Sequence, residues 1–308
     1  MDTLGVPQRW ARSRDVRITA ADGFSIAATT YAPERAPSGV VIINAATGVR
    51  RRYYDSFALH LASSGFAVVT YDYRGIGGSR PRTLRGFVAS MREWGEVDQP
   101  AVLAYAAAWQ PDVPLLLVGH SVGGQIFGLL RDPSPVSRVL MVAAQHNYWG
   151  LWGHRERWVL CALWTLIMPA TSHALGYFPS RKVGLGEDLP KGVALDWAAW
   201  CRSPGALVEA IGGDAAQRFA QYRGPILALS FDDDHTFAPR RAVDALLPFY
   251  SNARVEHRHI TARSLGLAKV EHFGFFREAA AEHGWPIALN WLARNDGSSH
   301  GGGRALGP

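Results

Sequence analysis

The chain has 308 residues, 48% of them apolar and only 19% charged, and its formal charge of +6 comes almost wholly from arginine. That composition excludes a disordered or fibrous protein, and basic residues scattered outside any aromatic-laced stripe exclude a nucleic-acid surface. Two cysteines, Cys161 and Cys201, form no disulfide framework and lack metal-ligand spacing, no run reaches the roughly 18 apolar residues that span a bilayer, and the N-terminus has no apolar leader core, so a cytoplasmic, soluble protein with packed thiols is expected.

In chain order, residues 15–20 and 24–31 read as two strands around Ala21-Asp22-Gly23, a hairpin signal. Residues 39–44 (GVVIIN) are a β-branched run of the kind buried on both faces of a parallel sheet. A helical period over residues 51–64 stops at Gly65, and the strand 66–71 leads into DYRGIGGS. Strand, helix, strand implies a right-handed parallel crossover. Residues 93–109 read as a helix that Pro100 kinks or splits. Residues 115–130, LLLVGHSVGGQIFGLL, are a strand, a sharp turn and a helix, and 136–143 is the next buried strand.

There the βα rhythm stops. Residues 147–205 carry Trp149, Trp152, Trp158, Trp164, Trp197 and Trp200 and no strand-helix alternation, as expected of a cap over a site. Within it, residues 158–170 are apolar nearly all round, which favours a helix packed between cap and core over a membrane-touching lid. The pattern resumes with strands 226–231 and 254–260 and a last helix near 287–292. The expected organisation is therefore a core in two parts, residues 1–146 and 206–294, a cap at 147–205, and a disordered Gly/Ser-rich tail at 295–308.

The chemistry centres on Gly119-His120-Ser121-Val122-Gly123. A strained strand-to-helix turn exposes a serine hydroxyl, and glycines flank it where a Cβ would collide. A serine becomes nucleophilic when a base takes its proton and an acid holds that base in the right tautomer. Asp234, just past the strand 226–231, is the expected acid, with Asp233 second, and His272, past the last strand, is the expected base, with His235 as an alternative. Three adjacent carboxylates, Asp232, Asp233 and Asp234, are costly to bury together, so one is expected to point inward. Oxyanion donors are expected from the backbone N–H of Val122 and of Ala46, with Thr47 next. His257 and His259 share a strand face without a third ligand, so they are expected to be exposed, and Arg50, Arg51 and Arg52 are expected to be solvated.

Taken together, the GHSVGG turn, the DYRGIGGS segment and the acid and histidine loops in that order resemble the α/β-hydrolases over most of the chain. More narrowly, AATGVRRRYYDSFA, YDYRGIGGSRP, GYFPS, GEDLPKGVALDWAAWC and HFGFFR are similar to a bacterial subfamily of serine hydrolases related to the serine-aminopeptidase-like (S33-type) group. The resemblance implies an α/β fold with a mostly parallel eight-stranded sheet, helices on both faces and a helical cap, and neither an organic cofactor nor a metal. It also marks two departures: Glu271 stands where glycine commonly precedes the histidine, and Asn44-Ala45 where many relatives have His-Gly. The expected activity is a serine hydrolase, first a carboxylic-ester hydrolase, acting on an ester, thioester or amide with an apolar portion through an acyl-enzyme. An acyltransferase of the same fold and a non-catalytic ligand-binding protein are the alternatives.

Overall fold

The structure is a computed structural model that describes residues 12–294; the expected tail at 295–308 lies outside the described residues. Strands β1 (Arg12–Thr19) and β2 (Ser25–Ala32) form the expected hairpin, with the Ala20 N–H donating to Phe24 O at 2.9 Å. Next come β3 (Val40–Asn44), helix α1 (Asp55–Ser63) and β4 (Ala67–Tyr71). A three-residue α2 (Met91–Glu93) runs through a π turn at Trp94–Asp98 into α3 (Gln99–Trp109), which returns the chain to β5 (Leu115–His120). The short α4 (Val122–Gln125) and a 3-10 turn, Ile126–Leu129, then lead to β6 (Val136–Val142).

Between β6 and the next strand of the sheet lie α5 (His154–Ala162), a second π turn (Leu163–Ile167), α6 (Met168–Leu175), a small ladder of β7 (Tyr177–Phe178) and β8 (Leu189–Pro190), then α7 (Lys191–Arg202), α8 (Ala206–Ile211) and α9 (Ala215–Gln221). Strand β9 (Pro225–Phe231), α10 (Arg240–Leu246), β10 (Arg254–Ile260) and α11 (Trp285–Leu292) complete the described chain. The eight-stranded sheet has the order β1-β2-β4-β3-β5-β6-β9-β10, antiparallel at β1-β2 and β2-β4 and parallel elsewhere. Every residue of β3, β4, β5 and β9 is buried, which explains why these strands are continuous apolar runs without alternation. The chain leaves β3 for β4 on one side and meets β5 on the other, so the strand order reverses between β3 and β5, and the carboxyl ends of strands at such a switch point are where open α/β sheets place ligands.

Both π turns stand just ahead of a proline, Pro100 and Pro169. A proline ring collides with the carbonyl four residues back and offers no N–H, and one wide turn absorbs both demands without breaking the helix. The expected kink at Pro100 is thus a widened turn. In the cap the second π turn brings Trp164, Met168 and Ser172, spaced four apart, to the buried side.

Two expectations fail here. The helix through residues 158–170 is not packed on all sides: Trp158, Val159, Leu166 and Ile167 are exposed, because only one narrow face meets the rest of the cap. Nor are the three arginines all solvated. Arg51 is buried, pairs with Asp72 at the end of β4 and donates from Nε to Thr29 Oγ1 at 2.9 Å, while Arg50 pairs with Glu187 of the cap and Arg52 with Asp15. A buried guanidinium needs such a partner, and each of these carboxylates lies far away in sequence.

Candidate active site

Ser121 directly follows β5 with φ 53° and ψ −120°, a conformation that non-glycine residues avoid and that persists where the surroundings impose it. Its N–H donates to Val142 O at 3.0 Å and its carbonyl accepts from Gly124 N at 3.0 Å, so the turn is fastened on both sides. A Cβ on Gly119 would come within 2.6 Å of Gly124 Cα, and one on Gly123 within 2.3 Å of Asn44 O. The two glycines flanking the serine are therefore required by close backbone approach.

Asp234 and His272 meet as a buried pair, His272 Nδ1 lying 2.6 Å from Asp234 Oδ2. The other oxygen, Oδ1, accepts from the N–H groups of Phe237 and Ala238, both at 3.1 Å. The neighbouring carboxylates have separate tasks. Asp233 accepts from Val270 N at 2.7 Å and Glu271 N at 2.8 Å and so grips the loop that carries the histidine, while Asp232 accepts from Ala262 N at 3.0 Å. One of the three is buried, and like charges are not crowded together. His235 is exposed.

Glu271 has φ 50°, the left-handed region in which glycine is at ease, which accounts for the glycine common at this position in relatives. Its carboxylate is exposed beside Lys269 Nζ at 3.2 Å and does not face the histidine ring. Asn44 is also accounted for: its amide donates to Gln99 Oε1 and to Gly123 O (3.0 Å) and accepts from the Tyr71 hydroxyl at 2.8 Å, tying the loop after β3 to the serine turn.

Sequence reasoning missed a chain of hydrogen bonds beneath these residues. Ala46 N–H donates to the Tyr54 hydroxyl at 2.9 Å, that hydroxyl lies 2.8 Å from His120 Nδ1, and His120 Nε2 lies 2.9 Å from His272 O. The carbonyl can only accept, so the Nε2 of His120 carries the proton and Nδ1 accepts from tyrosine. Burial and the nearby His272 hold the His120 pKa well below its ordinary value, keeping the ring neutral. His120 thus joins the serine strand to the backbone of His272. Among the described residues no hydrogen bond links the Ser121 hydroxyl to the His272 ring, and their approach is set through this neighbour. The same chain bears on the two expected oxyanion donors: the N–H of Ala46 is engaged by the Tyr54 hydroxyl, whereas Val122 sits at the first turn of α4, where an N–H has no intrahelical partner. An aromatic rim surrounds the histidine, with the rings of Phe237 and Phe273 each 5.0 Å from it and the Tyr53 hydroxyl donating to Phe273 O at 2.6 Å.

The cap is latched to this edge of the sheet. Buried Glu187 accepts from Arg50, from Arg181 and from Gly77 N (2.6 Å); burial opposes its charge, but those donors outweigh it and hold its carboxyl below the ordinary value. Trp152 Nε1 donates to Thr236 O at 2.8 Å, fastening the start of the cap to the loop of Asp234. Ser121 itself is only 7% exposed. On the far side of the sheet edge, His257 and His259 are not simply exposed: both rings lie 2.8 Å from Ser230 Oγ, and His257 Nδ1 is 2.8 Å from Asp244. Among the described residues no three metal-binding side chains gather.

Residues 35–184 match the family model described as serine aminopeptidase, S33. Among solved structures the chain is similar to DcsB, determined with its substrate analogue (16% identity, TM-score 0.63, 91% of this chain and 99% of that one). It is similar also to a thermostable carboxyl esterase from Bacillus coagulans (17%, 0.53, 81% and 90%) and to the esterase EaEST from Exiguobacterium antarcticum (15%, 0.57, 91% and 100%). At such identities the likeness is one of fold.

Proposed function

We propose that this chain, which has the fold of the α/β-hydrolases and a buried Asp-His pair beside a strained serine turn, is a serine hydrolase that cleaves carboxylic esters through an acyl-enzyme. The observation that carries the reading is the 2.6 Å contact of His272 Nδ1 with Asp234, which leaves Nε2 of that ring as the site for proton exchange. Ser121 Oγ attacks the carbonyl carbon as its proton passes to His272. The imidazolium then returns the proton to the leaving alcohol, and water, deprotonated by the same ring, releases the acid and restores Ser121. Asp234 keeps the proton on Nδ1 and stabilises the charged ring. The developing oxyanion is held by the N–H of Val122 and, since Tyr54 occupies Ala46, by that of Thr47.

The tryptophans of the cap favour an ester, thioester or amide with an apolar portion, and the unpaired thiols of Cys161 and Cys201 fit a cytoplasmic setting. The test is hydrolysis of p-nitrophenyl esters of increasing chain length together with fluorophosphonate labelling. Turnover and labelling are expected from the native chain and neither from Ser121→Ala; labelling that survives the substitution would remove Ser121 from the mechanism. A second reading, acyl transfer to an alcohol or amine, is favoured by the low exposure of Ser121, which limits water. Product partition between water and an added alcohol separates the two.

A further inference from the structure

The outward side of the cap carries a feature that hydrolysis does not use. From Glu156 to Leu175 the chain is one helix of 20 residues that, although polar positions such as Thr165 and Ser172 interrupt its apolar run, is by length and mean hydropathy long and apolar enough to cross a membrane, contrary to the expectation from uninterrupted runs, and only 17% of its most apolar window is buried. Trp158 is 59% exposed, Val159 69%, Leu166 67% and Ile167 49%. Soluble monomers seldom leave so many large apolar groups of one helix uncovered unless that face is used.

The border of this face is basic. The Arg157 guanidinium lies over the Trp158 ring at 5.0 Å. At the other end Arg85 donates from Nε to Leu175 O at 3.3 Å, and its loop exposes Arg82 and Val88. Lys182 stands exposed next to Val183, itself 58% exposed. The helix itself carries one exposed acid, Glu156, at its first turn, while the other acids of this part of the cap are engaged elsewhere: Glu187 with Arg50 and Arg181, Asp188 with Arg80, and Asp196 with the N–H of Met91. An exposed apolar stripe with tryptophan and a cationic border matches the headgroup and acyl boundary of an anionic bilayer.

We infer that the Glu156–Leu175 helix docks the cap on the surface of an anionic lipid membrane, lying in the interface. It does not cross the bilayer, because its inner side is committed to the cap: Trp164 packs on Trp197 with ring centroids 4.7 Å apart, and Arg202 donates to Trp164 O at 2.9 Å. A second copy of the chain fits the face less well, since a symmetric pairing would set Arg85, Arg157 and Lys182 against like charges. The inference is independent of the proposed hydrolysis, as its test reads binding alone.

The test is co-sedimentation of the full chain with phosphatidylcholine vesicles, with and without phosphatidylglycerol, alongside size-exclusion chromatography. Binding to the anionic vesicles is expected, weakened by salt and lowered at least about tenfold in Val159→Glu/Leu166→Glu, while Arg85→Glu and Lys182→Glu each lower it about fivefold. Thermal unfolding of each variant separates lost binding from lost folding. As a milder probe, bromine-labelled acyl chains are expected to quench tryptophan fluorescence in the native chain and much less in Trp158→Tyr. Absence of binding to anionic vesicles, equal binding by the double variant, or a native dimer that the double variant turns into a monomer would each overturn the inference.

Discussion

Strand β5 and the cap helix are both apolar stretches, yet they meet opposite fates. Leu115 to Val118 are buried between neighbouring strands and the helices on the two faces of the sheet, whereas Trp158, Val159, Leu166 and Ile167 look outward. The difference lies in what surrounds each element. A central strand is covered above and below and paired on both edges, so every side chain has somewhere to go, while a helix on the rim of a cap has one covered side and an excess of apolar surface on the other. Apolar character in a sequence therefore reports a demand for a partner, and the topology decides whether the chain itself supplies it.

The sharpest way to break this comparison is at the carboxyl end of the strand, where packing becomes chemistry. Under the proposed mechanism Asp234→Asn lowers kcat by about 10⁴-fold, because the amide no longer holds His272 in the required tautomer, while Asp233→Asn, which only loosens the loop, costs far less. Steady-state kinetics on one ester measures both; equal losses would mean that the acid has been assigned to the wrong carboxylate. Next in size, Leu117→Ala in the centre of β5 is expected to cost about 2–5 kcal/mol of stability, and Leu166→Ala in the cap less than about 0.5 kcal/mol, in denaturant unfolding of the two variants. A comparable loss at Leu166 would show that its face is covered in solution.

Tyr54→Phe falls between these. It removes the partner of both Ala46 N–H and His120 Nδ1 in a buried site and should destabilise the fold by about 1–3 kcal/mol. The smallest effect is a pH slope. His120 is held neutral in the folded chain, its pKa pushed well below 6.5 by burial and by His272. As the pH falls below about 6.5 the unfolded chain takes up a proton there that the folded chain refuses, so this contribution to stability is complete above that pH and declines below it, at most by about 1.4 kcal/mol per pH unit. Unfolding titrations of the native chain and His120→Gln should therefore diverge in slope on the acid side and run parallel above pH 7 or so.

How much of this was legible in the sequence follows from where each partner lies. Ser121, Asp234 and His272 are marked by local context, a glycine-flanked turn or a loop just past an apolar run, and that context is contiguous in the chain. The engagement of Ala46 is not, because the hydroxyl that takes its N–H comes from Tyr54 across a loop whose path no propensity specifies. Arg51 looked like one of a solvated trio since its carboxylate, Asp72, ends a different strand. The distinct roles of Asp232, Asp233 and Asp234 likewise depend on three different backbone segments arriving beside them. Periodicity described the strands well and the cap helix poorly, for it measures apolar content and is blind to cover.

The π turn at Leu163–Ile167 gives the cap helix one point of tolerance to length. A π turn holds one residue more than an α-helical turn needs, so deleting a single residue there would close it to an ordinary α-helical turn and leave the segments on either side facing nearly as they do now. Met168 and Ser172 would stay on the buried side. The same deletion at Ala170, in the α-helical stretch beyond, would turn Ser172 by about 100° away from the cap, so the length of this helix is free to change at the π turn and fixed elsewhere.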